Sequence, residues 1–250
     1  MKNVIAGMGF IGAELFKLIG PDCSKYDPPQ GFSPIHKDDF DLCFICVPTP
    51  QDKNGECDTS IVLDIPNQIK AEVYVCLSTI PPDVELPDNM IYQPEYSASC
   101  SPYAAPLANI KDRTFVILGG LPKYTKIVRK FYESLYPPTV KMMETDSKTA
   151  RIIKYMANSF IATYVSFCNE FFDICKLNGV DYDKVREGFL MDPRMISWWT
   201  YVYENKRGWG GDCLPKDTSA IVKSCEKQGY NAELIKAVIE QNKNIILKNE

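Results

Sequence analysis

The chain has 250 residues, 45% hydrophobic and 24% charged, the balance of a soluble globular protein with one large or two ordinary domains. Its formal net charge is −4 and no run of Lys or Arg exceeds two residues, so nucleic acid is excluded as an expected partner. The N-terminus, "MKNVIAGMGF", meets glycines too soon for a signal peptide, and no apolar run approaches a membrane span, so the expectation is a cytoplasmic protein with no membrane partner.

Residues 2–6, "KNVIA", read as a strand, and "GMGFIG" follows with Gly7, Gly9 and Gly12 in G-x-G-x-x-G spacing. The helical pattern "AELFKLI" comes next, which gives the strand–turn–helix context that a dinucleotide fingerprint requires. In that context Gly7 permits the tight turn, Gly9 lets a pyrophosphate approach the backbone, and Gly12 lets helix and strand pack closely. Phe10 and Ile11 lie inside the same loop. An acidic residue is then expected about 20 positions on. Asp27 fits, and a carboxylate there favours the ribose hydroxyl of NAD over the phosphate of NADP.

Further strands are expected at 42–47, 73–78, 90–93, 114–120 and 139–143, with helices at 59–70 and 122–136. The alternation predicts an α/β fold, a Rossmann-type doubly wound and mostly parallel sheet. Ligands in such sheets lie beyond the carboxyl ends of strands, where the loops "VPTP" (Val47, Pro48, Thr49), "STIPP" and "QPEY" fall. Cys43 and Cys46 form a C-x-x-C inside an apolar strand. No second pair matches it and the one histidine is His36, so no metal site is expected and most of the ten cysteines read as small buried hydrophobes.

From Ser147 to Leu177 there is neither Pro nor Gly, which predicts one long helix capped by Asp146 or Ser147. Its apolar residues surround much of the circumference, pointing to central burial or a homodimer interface through 147–177. Lys154 and Asn158 share a face of it and need partners or a ligand. Helices at 181–190, 215–228 and 231–249 follow. The predicted domains are 1–146, cofactor-binding, and 147–250, helical and all-α. Between the helices lies "GWGGDCLPKD". Pro215 suits a first helical turn and places Cys213 just before it, where the helix dipole and Lys216 or Lys154 favour a thiolate. Gly208, Gly210 and Gly211 let the backbone press against a ligand, and Asp217 stands one turn on. The constellation suits covalent catalysis by a thiolate.

With "GMGFIG", "VPTP", "GECDTSIV", "STIPP", "QPE", "DRTFVILGG", "KYMANSFIATYVSFCNE" and "GWGGDCLPKDT" in hand, the chain resembles the UDP-glucose/GDP-mannose dehydrogenase family, on the side of its UDP-glucose 6-dehydrogenases. The resemblance implies oxidation of a nucleotide-sugar primary alcohol to a carboxylate with NAD, used twice, and no metal. It implies that Cys213 captures the aldehyde and carries a thioester, that Glu95 handles protons and water, and that Lys154 and Asn158 stabilise oxyanions. Asp217 would orient Lys154 and water, and Thr79 would support the water network. The substrate would lie against Glu95, Lys154, Asn158, Gly210, Gly211 and Cys213. Two departures stand out. "PEYSASC", with Ser97 and Ser99, replaces a family segment that ends in a second glutamate and shapes the substrate pocket. The last helix resembles the linker to a third, nucleotide-holding domain, so the likeness covers two of the family's three domains. Two other readings stay open: an NAD-binding remnant or partner subunit, and a small hydroxyacid or 6-phosphogluconate-like dehydrogenase, which would have no need of Cys213.

Overall fold

The computed structural model describes residues 1–32, 39–97 and 109–247; His36, Ser99, Cys100 and the last residues of the final expected helix lie outside them. The chain forms two compact units, Met1–Lys154 and Tyr155–Glu250.

The first unit runs β1 (Asn3–Ala6), α1 (Phe10–Ile19), β2 (Ser24–Tyr26), β3 (Phe40–Ile45), α2 (Ser60–Gln68), β4 (Ala71–Cys76), β5 (Met90–Tyr92), β6 (Phe115–Gly119), α3 (Pro122–Glu133) and β7 (Lys141–Thr145). These strands form one sheet in the order β2-β1-β3-β4-β5-β6-β7. Every neighbouring pair is parallel except β5 with β6. Alternate residues feed opposite faces, as a pleated strand requires. Val4, Ala6, Cys43, Ile45, Tyr74 and Cys76 join Val62 and Ile65 of α2 on one face. Ile5, Leu42, Phe44, Val73 and Val75 meet Leu15 of α1 and Val128, Phe131 and Tyr132 of α3 on the other. Both faces are covered, which is why the strands read as continuous apolar runs.

The α/β reading of this half is the observed one, with local differences. β2 was not anticipated: three residues are too few to show a period. β3 and β4 begin and end two residues before the expected spans, so Cys46 and Val47 belong to the loop leading to Pro48 rather than to the strand. β7 runs two residues past its expected end.

Sheet order reverses at β1, whose neighbours are β2 on one side and β3 on the other. The loops that leave β1 and β3 therefore flank the switch-point crevice where α/β sheets take ligands. Two glycines make this approach possible. Gly7 has φ +92°, and a Cβ on it would lie 2.7 Å from the Cys46 carbonyl carbon. A Cβ on Gly12 would lie 1.9 Å from the Gly7 carbonyl oxygen.

The helices α4 (Ser147–Leu177), α5 (Tyr182–Phe189), α6 (Leu214–Lys227) and α7 (Glu233–Leu247) complete the chain. Asp146 caps α4, its carboxylate accepting from Thr149 N at 2.9 Å and from Thr149 Oγ1 at 2.6 Å. The first two turns of α4 belong to the first unit. There Ala150 and Ile153 pack on the sheet face that holds α2. Among the described residues, no helix is long and apolar enough to cross a membrane.

The two loop glycines differ in a way that can be measured. Gly12→Ala forces a methyl into a backbone carbonyl and should lower the unfolding midpoint of the purified chain by about 3–10 °C, the scale of core overpacking. Gly9→Ala meets nothing within 4 Å and should leave the midpoint unchanged in the same calorimetric scan.

Candidate functional site

At the switch point, Gly9 is the N-cap of α1, with extended backbone and no side chain capping the helix. The first amides of α1, from Phe10 and Ile11 onward, form the helix end that an anion would meet. Asp27 follows β2 directly, and its Oδ2 accepts from Met8 N at 2.7 Å and from Gln30 Nε2 at 3.0 Å. The structure thus brings the acidic residue to the glycine loop, 19 positions away in sequence. A glycine turn, an uncapped helix start and a carboxylate at the end of the next strand form a donor set that fits a dinucleotide.

The loops beyond β3 and β4 are tied together. Ser78 Oγ donates to Val47 O at 2.6 Å, and the Cys57 thiol points at Thr79 O, 3.5 Å, and Thr49 O, 3.8 Å. Val47, Pro48, Thr49 and Thr79 therefore share one rim. Sequence reading did not find Ser78 or Cys57, because their role depends on two loops about 30 residues apart meeting.

The segment beyond β5 is held more tightly still. Tyr132 OH donates to Gln93 Oε1 at 2.7 Å. Glu95 and Arg113 form an ion pair with both side chains 5% exposed. Glu95 Oε1 also accepts from Tyr96 N at 2.8 Å and Ser97 N at 2.7 Å, whereas Oε2 is buried with no hydrogen-bond partner among the described residues. Burial opposes the Glu95 charge. The Arg113 cation and the hydrogen bonds outweigh it and hold the carboxyl below its ordinary value of 4.5. Burial likewise opposes the Arg113 charge, and Glu95 reverses the effect. Lys154, buried, donates from Nζ to Glu95 O at 2.7 Å and lies 5.1 Å from the Tyr96 ring centre. The polar face expected at Lys154 thus has its partner in the backbone of the QPEY loop.

In the second unit, Cys213 is the N-cap residue of α6, with Pro215 in the first turn. Asp217 N donates to Cys213 O at 2.8 Å. The Asp217 side chain is 1% exposed, and each of its oxygens is held by a different donor. Asn158 Nδ2 donates to Oδ2 at 2.6 Å, and Lys216 Nζ to Oδ1 at 2.7 Å. Among the described cysteines, Cys213 is the exposed one. Burial pushes the Cys23 and Cys76 thiols up to about 12 and raises Cys43 as well, so these side chains are inert hydrophobes at neutral pH. Among the described residues, no three His, Cys, Asp or Glu side chains are grouped as a metal site needs.

The glycines of this segment have separate causes. Gly208 has φ +81°, and a Cβ there would lie 2.6 Å from Asn242 Oδ1, so the absence of a side chain lets α7 pack against it. Trp209 completes that clamp, exchanging two 2.8 Å bonds between its backbone and the Asn242 amide. Gly210 and Gly211 are exposed, and a Cβ on either would meet nothing within 4 Å. That leaves open backbone beside Cys213.

One face of α4 is apolar and exposed. Ile152, Met156, Phe160, Phe167, Phe171 and Ile174 recur at helical spacing, with Met156 74% exposed. Phe160, Tyr164, Phe167 and Phe171 form a continuous ladder of ring contacts along it.

A glycine-loop α/β unit followed by a helical unit with a thiol at a helix start defines a two-part class, Rossmann-type sheet plus helical domain. Residues 148–244 match the model of the UDP-glucose/GDP-mannose dehydrogenase family, central domain. A UDP-glucose 6-dehydrogenase of Pseudomonas aeruginosa is 29% identical over 223 residues, 82% of this chain and 49% of that protein. The UDP-glucose 6-dehydrogenase AglM of Haloferax volcanii is 40% identical over 106 residues, 42% of this chain and 23% of that one. In fold, the chain is similar to a UDP-glucose dehydrogenase from Pyrobaculum islandicum, with a TM-score of 0.80 at 21% identity, covering 97% of this chain and 68% of the other. Residues 148–244 thus carry the central domain of the UDP-glucose/GDP-mannose dehydrogenase family. The chain spans about half the length of the curated relatives it matches over most of its own length.

The buried pair sets an acid limb of stability. Because the folded Glu95 value lies below the ordinary 4.5, its contribution is complete above that value and is lost as pH falls through the lowered one. Glu95→Gln should be less stable than the parent at neutral pH. The difference should narrow steadily below about pH 4.5 in chemical denaturation series, since a protonated Glu95 resembles the amide.

Proposed function

We propose that the chain is the catalytic part of an NAD-dependent nucleotide-sugar 6-dehydrogenase, oxidising a UDP-glucose-type primary alcohol to the acid in two steps. The observation that carries this reading is Cys213: an exposed thiol at a helix start, one turn before a buried carboxylate held by Asn158 and Lys216. The names of the relatives point to the same substrate class. Residues 1–146 are assigned to the cofactor and 147–250 to sugar oxidation and self-association.

Gly7, Gly9, Phe10, Ile11 and Gly12 would hold the cofactor pyrophosphate, Asp27 the ribose, and the Val47–Thr49 rim with Thr79 the nicotinamide end. Bound NAD supplies a hydride acceptor for each of the two oxidations. Lys154 takes the alcohol proton by way of water and, with Asn158, steadies the oxygen as it gains charge. The Cys213 thiolate adds to the aldehyde carbon, forming a C–S bond and preventing escape. Loss of the second hydride leaves a thioester. Glu95 then takes a proton from water, whose oxygen attacks the acyl carbon, and the C–S bond breaks to return the thiolate. Alcohol, water and two NAD⁺ thus give carboxylate, two NADH and three protons. A residue pair of Lys and Glu suits this proton transfer in a chain with one histidine.

The exposed ring ladder of α4 supports a homodimer through that helix, since a patch of this kind on a soluble protein marks an association surface. The parent should scatter light as a dimer at micromolar concentration. Phe160→Lys combined with Phe167→Lys should scatter as a monomer with unchanged helix content. A monomeric parent removes the proposal.

The chemistry is tested by following NADH with UDP-glucose, GDP-mannose and UDP-N-acetyl sugars in parallel. Cys213→Ser should abolish acid formation, by at least about 10³-fold for loss of a nucleophile, while NAD affinity stays within twofold. Gly9→Ala should do the reverse, weakening NAD. Limiting iodoacetamide at neutral pH should label Cys213 first in mass spectra. NAD binding without turnover on any of these sugars would instead mark the chain as a cofactor-binding partner subunit.

A further inference from the structure

We propose that Arg113 is a positioning residue that locks Glu95 by one oxygen, so that Oε2 is the single atom of that carboxylate left to accept a proton. The inference rests on the reading of Glu95 as the base for thioester hydrolysis and adds the group that sets it.

The hydrogen-bond pattern is lopsided. Oε1 takes three donors, the Arg113 guanidinium and the amides of Tyr96 and Ser97. Among the described residues Oε2 takes none, although it is buried. Buried carboxylate oxygens are ordinarily bonded, and one left unbonded is costly. Had the pair served only to balance a buried charge, a fork-to-fork arrangement would satisfy both oxygens. Here a single nitrogen, Nη2, serves both Oε1 and, at 3.4 Å, Ser97 Oγ. Arg113 therefore ties the carboxylate to the turn that follows it. The backbone carbonyl of Glu95 is fixed separately by Lys154 Nζ at 2.7 Å. Carbonyl, Oε1 and the following two amides are all held, and Oε2 is the remaining free acceptor of the residue's side chain.

A carboxylate held this way acts as a base in one orientation. Its charge is also maintained by a cation that touches only the oxygen opposite the reacting one. Arg113 itself makes no contact with substrate in this account. It sits 18 residues from Glu95, just before β6 in "DRTFVILGG", a stretch whose sequence gives no hint of the pairing.

The test is a graded series, parent, Arg113→Lys and Arg113→Gln, in the whole chain. The Glu95 side-chain carboxyl is followed by carbon NMR, assigned with Glu95→Gln, and acid formation from the nucleotide sugar is followed across pH. Arg113→Gln should raise the carboxyl titration by about one to three pH units, the effect of removing an adjacent cation. The acid limb of acid formation should move by the same amount, with NAD affinity within twofold of the parent. Arg113→Lys keeps the charge but loses the guanidinium's reach and planar donor geometry, and should shift both readouts in the same direction by less. Should the Gln variant not fold, parallel shifts in the Lys variant support the proposal. A carboxyl titration that does not move, or one that moves while the acid limb stays, overturns it. A parent that oxidises none of the sugars defeats the proposed function instead. The carboxyl titration then decides the lock by itself, moved in its favour and unmoved against it.

Discussion

A polar group removed from water must find a partner, and helix α4 repeats that constraint along its length. Its buried face carries Arg151, Lys154, Asn158, Ser166 and Asn169 at helical spacing. Arg151 donates to Pro81 O at 2.8 Å and Val84 O at 2.6 Å. Lys154 reaches Glu95 O and Asn158 reaches Asp217. Ser166 accepts from the Trp209 indole at 2.8 Å, and Asn169 accepts from Arg207 and from Gly208 N. These bonds fix the segments that follow β4 and β5, the segment before α6, and the first turn of α6. Within each unit, the part of α4 that belongs to it thus positions neighbouring segments.

The same constraint acts on the candidate residues that loops carry. Beyond β3, β4 and β5 the chain is irregular, and its backbone groups must be satisfied individually. Ser78 and Cys57 do this for Val47 O and Thr79 O, and Tyr132 and Arg113 hold the same region by the side chains of Gln93 and Glu95. Loops pinned this way present Thr79 and Glu95 with little freedom, which is the condition for a preorganised site.

Burial also sorts the cysteines. Cys23, Cys43 and Cys76 lie within the sheet unit, and burial raises their thiols, so they act as small apolar side chains. Cys213 is exposed at the start of α6, where backbone amides favour negative charge. One chemical type serves as filler in one place and as a candidate nucleophile in another, and exposure makes the difference.

Local order was legible in the sequence by itself. The G-x-G-x-x-G turn, the apolar strands, the uninterrupted run of α4 and the Pro215 helix start each depend on near neighbours, and their elements appear within a few residues of the expected places. The α/β order and Asp27 as partner of the glycine loop also followed, because a parallel sheet fixes the distance between one strand end and the next. Tertiary structure decided what depends on contacts between distant segments. β2 is too short to announce itself, and nothing in the residues of β6 states that it runs against β5. That Asn242 of α7 lies against Gly208 is likewise visible only in the fold. The partner of Glu95 is Arg113 only because β5 and β6 are neighbours in the sheet. Periodicity and turn chemistry act over a few residues and can be read in a line of letters. The pairing of buried charges acts through space, and only the folded chain sets those distances.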